Sequence, residues 1–482
     1  MNPLARLDHA YLWHPFTQMR DWLKTEPVVL VKGRGPILFD AKGREFLDAN
    51  SSIWTNLHGH GHLKINGAIK AQLAKVAHTS ALGFANEPAS LLGEALVRAA
   101  NSLKDAPRLG KVFYSDNGST AIEVALKLAY ETARRTRKLA KPRFLSLAGA
   151  YHGDTVGAVA LGHIDLFHKA YSGLLFKTDQ VPAPYCYRCP FNRSVPERAD
   201  ARTHRRCRSE CTVAVEKQLA RQAKRGEPYA GFAFEPLMQG SAGMIAQPEG
   251  WLAQVTGMAR ASGAALIADE VMTGFGRTGV PRPSPGMDPG KVLFACQQER
   301  VQPDYMALAK GLSGGYLPMA ATLTTQAVFD LFLGEYHEYK SFFHGHSFTG
   351  NQLGSAAALA SLGILQSNDC TDRRARIQKE MAAGLAGLWR LPAVGDIRQV
   401  GLVAGIELVR RWQTREPFDM SERVGIRVCE AMARRGVLTR PIGSVLVLMP
   451  PYCTTSAQVR RIMAAMAEAI DEVTGPGLGK QH

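Results

Sequence analysis

Lys310 stands in the segment ALAKGLSGGYLP (307–318), after an apolar run and before three glycines within five residues. A solvated loop is the commoner setting for a lysine. At the edge of an apolar run, however, desolvation disfavours the ammonium form, and a neutral amine is a nucleophile toward an aldehyde. Asp269 ends the apolar run AALIADEV (264–271), where a carboxylate is costly unless it meets a cation or hydrogen-bond donors. Tyr151 lies in GAYHGDT (149–155), a glycine-flanked loop after the apolar run RFLSLA (143–148). Gly118 and Ser119 lie in SDNGST (115–120), at the expected start of a helix, where free N–H groups and the positive dipole end suit a phosphate. No G-x4-GK[ST] loop precedes Lys310, so a Walker-type nucleotide site is excluded. A phosphate cradle, an aromatic ring, a strand-end carboxylate and a later lysine are together what pyridoxal phosphate requires.

These residues need rigid elements to hold them. ILFDAKGREFLD (37–48) alternates about a D-A-K-G turn and predicts a β-hairpin. In GSTAIEVALKLAYETARRT (118–136), Ile122, Ala125, Leu126 and Ala129 repeat at helical spacing, and Thr120 with Glu123 is spaced as a capping box. Residues 143–148 and 264–271 predict buried strands, and the alternation of helices with strands predicts an α/β fold with a largely parallel sheet. PRPSPGMDPG (281–290) reads as a surface loop, and the pattern from about 367 onward as a smaller α+β unit.

The 482 residues are enough for two or three subdomains, and 46% hydrophobic with 21% charged residues is a globular composition. No run is long or apolar enough for a signal peptide or a membrane span, so the expected location is the cytoplasm, without a membrane partner. Net charge is 58 − 42 = +16, yet the basic residues are scattered apart from RRTRKLAKPR (134–143) and RTHRRCR (202–208). No recognition helix, RNP or zinc-finger pattern accompanies them, so no nucleic-acid partner is expected. Four of the eight cysteines form Cys186-x2-Cys189 and Cys207-x3-Cys211, near a zinc-ribbon spacing. A zinc staple and a metal-free insertion with reduced thiols are equal alternatives for these four, and neither gives a metal to the chemistry.

GSTAIEVALK, GAYHGDTVGAV, FEPLMQG, LIADEVMTGFGRTG, PDYMALAKGLSGGYLP, HGHSFTGNQLG and LTRPIG, in this order, resemble the fold-type I aminotransferases of subgroup III. LWHPFTQM and SSIWTNLHGH narrow the resemblance to the branch that makes 7,8-diaminononanoate from 8-amino-7-oxononanoate in biotin biosynthesis. It covers nearly the whole chain, excepting 186–211 and 281–294. It implies the fold-type I transferase architecture: an N-terminal segment (1–51) joining the small domain, a large cofactor domain (52–366) with a mostly parallel seven-stranded sheet, and a small domain (367–482). It further implies that Lys310 bonds the aldehyde of pyridoxal 5′-phosphate and shuttles a proton, that Asp269 pairs with the ring nitrogen, and that Tyr151 stacks on the ring. Gly118 and Ser119 would hold the phosphate, with Ser347 reaching it from the other subunit of a homodimer. Trp54, Phe16, Arg277, Gly345 and Arg440 would bind substrate, Arg440 by a bidentate grip on a carboxylate. Phe16 and Val447 stand where many members carry tyrosines on the amino-donor side, which leaves S-adenosylmethionine and lysine both open as donor. Another ω-amino-acid or diamine aminotransferase on the same fold is the alternative.

Overall fold

The computed structural model describes residues 1–101, 108–281 and 288–475. At its centre is a seven-stranded sheet in the order Leu109–Ser115, Ala320–Thr325, Tyr305–Leu308, Ala265–Asp269, Gly231–Phe234, Phe144–Leu147 and Asp179–Val181. Every neighbouring pair is parallel except the two made by Ala320–Thr325. The strands expected at 143–148 and 264–271 are therefore present, and alternate residues leave them for opposite faces. Phe144, Ala233, Ile267 and Ala307 pack under the helix Gly118–Arg137. Leu145, Phe232, Phe234, Leu266 and Ala268 pack on the other face with Val255 and Ala259 of the helix Trp251–Ala261 and Val215 and Leu219 of Glu210–Lys224. A parallel sheet covered on both faces needs such continuous apolar strands, which is why those runs lack polar alternation.

The helix Gly118–Arg137 starts where its sequence predicts, and Ile122, Ala125, Leu126 and Ala129 are all buried. Its cap differs from the expected one. Asn117 is the N-cap: its side chain accepts from the Thr120 N–H at 3.0 Å, and the Asn117 N–H donates to Thr120 Oγ1 at 3.2 Å. Thr120 is thus the third residue of the box, and Glu123 is freed to accept from Thr155 Oγ1 at 2.5 Å and the Gly157 N–H at 2.7 Å.

Ile37–Asp40 and Glu45–Asp48 form the expected hairpin, extended by Leu30–Arg34 on one side and by Val437–Leu438, parallel to Glu45–Asp48, on the other. Strands Val394–Val400, Val403–Arg411, Val445–Leu448 and Pro441–Ile442 form an antiparallel sheet, to which Glu416–Pro417 adds an edge. Helices Asn368–Leu388, Val424–Arg434 and Ser456–Thr474 share one core with it through Met381, Met432 and Met466. Of the loop expected at 281–290, residues 282–287 lie outside the described residues. No helix among the described residues is long and apolar enough to cross a membrane.

Candidate active site

Parallel strands release their C-terminal ends along one edge of a sheet, and ligands bind outside that edge. Tyr151 follows Phe144–Leu147, Glu235 follows Gly231–Phe234, Asp269 ends Ala265–Asp269, and Lys310 follows Tyr305–Leu308. All four reach one cavity of about 760 Å³, with Gly118, Ser119 and Trp54 on its remaining walls.

The Lys310 amine hydrogen-bonds to no described residue and lies 5.2 Å from the centre of the Trp54 ring. Burial pulls its pKa below the ordinary lysine value, and the negative charges of Asp269 and Glu235 only partly oppose this. Its backbone is left-handed, with φ of 44°. The glycines that follow serve close packing against the 55–58 segment: a Cβ on Gly315 would sit 2.8 Å from Asn56 Cα, and one on Gly311 3.0 Å from Leu57 Cδ1.

Asp269 Oδ2 accepts from His152 Nδ1 at 2.7 Å, and its Oδ1 accepts from the Val271 N–H at 3.0 Å. Burial alone would lower the His152 pKa, but the hydrogen bond to Asp269 and its charge win and raise it. The imidazole therefore holds a proton toward Asp269 and fixes the orientation of that carboxylate. Glu235 is buried beside them, and desolvation with the Asp269 charge pushes it up to about 7. Its carboxylate accepts from the Gly240 N–H at 2.7 Å and the Tyr151 N–H at 3.4 Å. The phenol of Tyr151 donates to Asp154 Oδ2 at 2.8 Å.

The N–H groups of Gly118 and Ser119 have no acceptor among the described residues and open on the cavity. Gly118 is required by proximity, since a Cβ there would lie 2.7 Å from Val271 Cγ1. The Ser119 hydroxyl is engaged with Thr155, accepting from its N–H at 2.9 Å.

Trp54 is presented by a strained segment. Ser51, Ser52, Ile53 and Trp54 all have positive φ, between 47° and 70°. Left-handed backbone costs roughly 1–2 kcal/mol per non-glycine residue, so this turn persists only because its surroundings determine it. Asp48 accepts from the Ser52 N–H at 3.0 Å and Ser52 Oγ at 2.8 Å, while Ser51 Oγ donates to the Met449 carbonyl at 2.7 Å. Arg277 belongs to this support. It does not line the cavity, contrary to the expectation that it binds substrate: the guanidinium is buried and donates to the carbonyls of Pro450 at 2.9 Å, Asn56 at 3.2 Å and Trp54 at 3.5 Å.

Four other expected residues stand off the cavity. Phe16 is exposed, its ring 6.4 Å from that of Tyr151 and 5.2 Å from that of Phe167. Gly345, Ser347 and Arg440 are exposed, and Arg440 pairs with no carboxylate among the described residues. Val447 lies behind the wall, buried with Met238, Met244 and Met272 in a cluster that Trp54 joins. His152 and Glu235 join the expected residues at the site, and Glu235 carries the same signal in the sequence as Asp269, a carboxylate at the end of a buried strand.

The chain matches the family described as "Aminotransferase class-III" over residues 19–470. It is 47% identical over 468 residues to adenosylmethionine-8-amino-7-oxononanoate aminotransferase of Geobacter sulfurreducens, covering 97% of each chain. The enzyme of that name from Aquifex aeolicus is 41% identical, over 98% of this chain and 97% of its own. Among solved structures, the crystal structure of that aminotransferase from Methanocaldococcus jannaschii superposes with a TM-score of 0.86 at 37% identity, covering 98% of this chain and 99% of the other. The omega transaminase of Pseudomonas jessenii in complex with PMP gives 0.87 at 26% identity, covering 99% and 100%. The chain belongs to the class-III aminotransferases and has the fold-type I architecture of pyridoxal-phosphate-dependent transferases.

Proposed function

We propose that the chain transfers an amino group to the 7-oxo carbon of 8-amino-7-oxononanoate, giving 7,8-diaminononanoate, with pyridoxal 5′-phosphate as its cofactor. The convergence of Lys310, Asp269 and the Gly118–Ser119 helix start on one cavity carries the reading of the chemistry. The name borne by the full-length relatives supports the acceptor.

The residues fit the cofactor. Its phosphate would meet the unpaired N–H groups of Gly118 and Ser119 at a helix start. Its ring nitrogen would face Asp269, which His152 orients, and Tyr151 would cover the ring. When bound, the group supplies an electron sink that lets the C–H bond beside the transferred nitrogen break. Lys310, with its amine depressed by burial, takes that proton and returns it. Trp54 and the left-handed turn beneath it keep water off one wall. Arg440 would grip the acceptor carboxylate.

Gly345 and Ser347 are exposed in the single chain, and we read them as completing the site of a second copy in a homodimer. Phe343 and Phe348, exposed beside them, would be covered by the same contact. On the donor side, Phe16 offers a ring without a hydroxyl, and S-adenosylmethionine and lysine are the two donors to compare.

The test is incubation of the purified protein with 8-amino-7-oxononanoate and each donor in turn, reading product by mass spectrometry. Diaminononanoate is expected with one of them. No product with either, together with turnover of an ω-amine and pyruvate, would replace this acceptor with the omega-transaminase reading.

A further inference from the structure

Cys186, Cys189, Cys207 and Cys211 line a second cavity, of about 250 Å³, that shares no residue with the Lys310 cavity. Each is half-buried and none is in a disulfide. The backbone around them is tied at several points. Asn192, itself buried, donates through Nδ2 to the Cys186 carbonyl at 2.8 Å. Its Oδ1 accepts from the N–H of Ser194 at 3.1 Å and of Arg206 at 2.9 Å. The Arg193 N–H donates to the Arg206 carbonyl at 3.0 Å. One amide side chain thus joins the two cysteine turns.

Donor groups surround the sulfurs, although burial by itself raises the thiols of Cys186 and Cys211. Cys211 sits in the first turn of the helix Glu210–Lys224, where the dipole and the free N–H groups stabilise a thiolate. Trp251 is buried against the same cavity, with its indole N–H directed at Cys211. The guanidinium of Arg205 lines it too.

We propose that this cavity is a structural zinc site whose ligands are the thiolates of Cys186, Cys189, Cys207 and Cys211. Spacings of two and three residues within the pairs, and seventeen between them, are those of tetrahedral thiolate sites. Soft sulfur ligands select zinc over the hard cations. As the side chains stand, no three of the described His, Cys, Asp and Glu groups are gathered closely enough to hold an ion. Binding therefore draws the four thiols together from the walls of the cavity they share, on a backbone that Asn192 ties at both cysteine turns. Each thiol releases its proton to solvent, so one Zn²⁺ and four thiols give a dianionic centre and four protons. Arg205 and the Trp251 N–H face that charge, which gives part of the basic run at 202–208 a task.

The ion has no part in amino transfer. It staples a segment that is strapped to the C-terminal sheet. Arg188 Nε donates to Glu407 Oε1 at 2.8 Å, Arg198 to the Val394 and Leu391 carbonyls, and Arg202 to the Gln399 carbonyl at 2.8 Å.

The test is elemental analysis of the full chain purified from zinc-containing medium, followed by replacement of the metal with Co²⁺. One zinc per chain is expected, with a near-ultraviolet thiolate-to-cobalt charge-transfer band and the visible bands of a tetrahedral ion. Cys207→Ser should lose the metal and the band. If that variant does not fold, the cobalt spectrum of the unaltered chain decides alone. Absence of zinc and of the charge-transfer band, with four freely titrating thiols in the folded protein, would overturn the proposal. None of these readouts depends on aminotransferase activity.

Discussion

Two of the buried groups of charged side chains among the described residues are built oppositely. In the first, Arg398 donates to Asp396 Oδ2 at 2.8 Å, Glu407 Oε2 at 2.6 Å and the carbonyls of Met244 at 2.8 Å and Gly243 at 2.5 Å. Tyr185 and Arg188 also bond Glu407. Pairing outweighs desolvation for two of its members: the Arg398 pKa is raised and that of Glu407 lowered, so both stay ionised, whereas burial still raises Asp396. In the second, around Lys310, the amine has no hydrogen-bond partner and desolvation wins, while Glu235 is pushed up to about 7. Burial alone does not make a group reactive. Incomplete pairing inside a cavity that a ligand can enter does, because the partner is left for the ligand to supply.

That contrast sets the largest expected effect. Lys310→Ala should lower kcat by roughly 10⁴-fold, the upper range for losing a positioned acid–base group, while changing stability by no more than ~1 kcal/mol. Near-normal turnover would remove Lys310 from the chemistry. Arg398→Ala should do the reverse. It strands Asp396 without its cation and leaves Glu407 with Arg188 as its cation, and breaking a buried pair costs about 3–5 kcal/mol, which thermal unfolding would register. An unchanged unfolding midpoint would mean that the network is not a structural tie.

How far the sequence led depends on where each residue's partners come from. Asp269, Tyr151, Gly118 and Lys310 were legible because each stands at an element end that periodicity marks, and parallel strands bring such ends together. Trp54 was placed on the cavity by resemblance alone, since nothing in SSIW signals four consecutive left-handed residues. The setting of Arg277 was not legible for a physical reason: its partners are backbone carbonyls, which carry no sequence signature. The Thr120–Glu123 spacing matches a capping box, but Asn117, three residues earlier, makes the box with Thr120 as its third residue. Gly345, Ser347 and Arg440 carry motif signals, but their expected ligands lie outside the single chain. The cysteine spacing was visible from the start, whereas the cavity that the four share was not.

The smallest predicted effect concerns Glu235. Its folded pKa, about 7, exceeds the ordinary glutamate value of 4.5. Between those values the folded protein binds the extra proton, so this contribution to stability is complete below 4.5 and lost as pH rises through about 7. In the cofactor-free protein, Glu235→Gln should remove that dependence, amounting to at most about 3 kcal/mol across the window. Parallel stability–pH curves for the two proteins would show that Glu235 is not held protonated.

The central claim is that Lys310, a lysine that burial depresses inside the cavity, is the amine that takes the aldehyde. It is tested most directly by adding borohydride to the protein saturated with pyridoxal 5′-phosphate and locating the reduced adduct by peptide mass spectrometry. The account predicts that the pyridoxyl mass is found on Lys310. An adduct on any other lysine, or none at all, would contradict it.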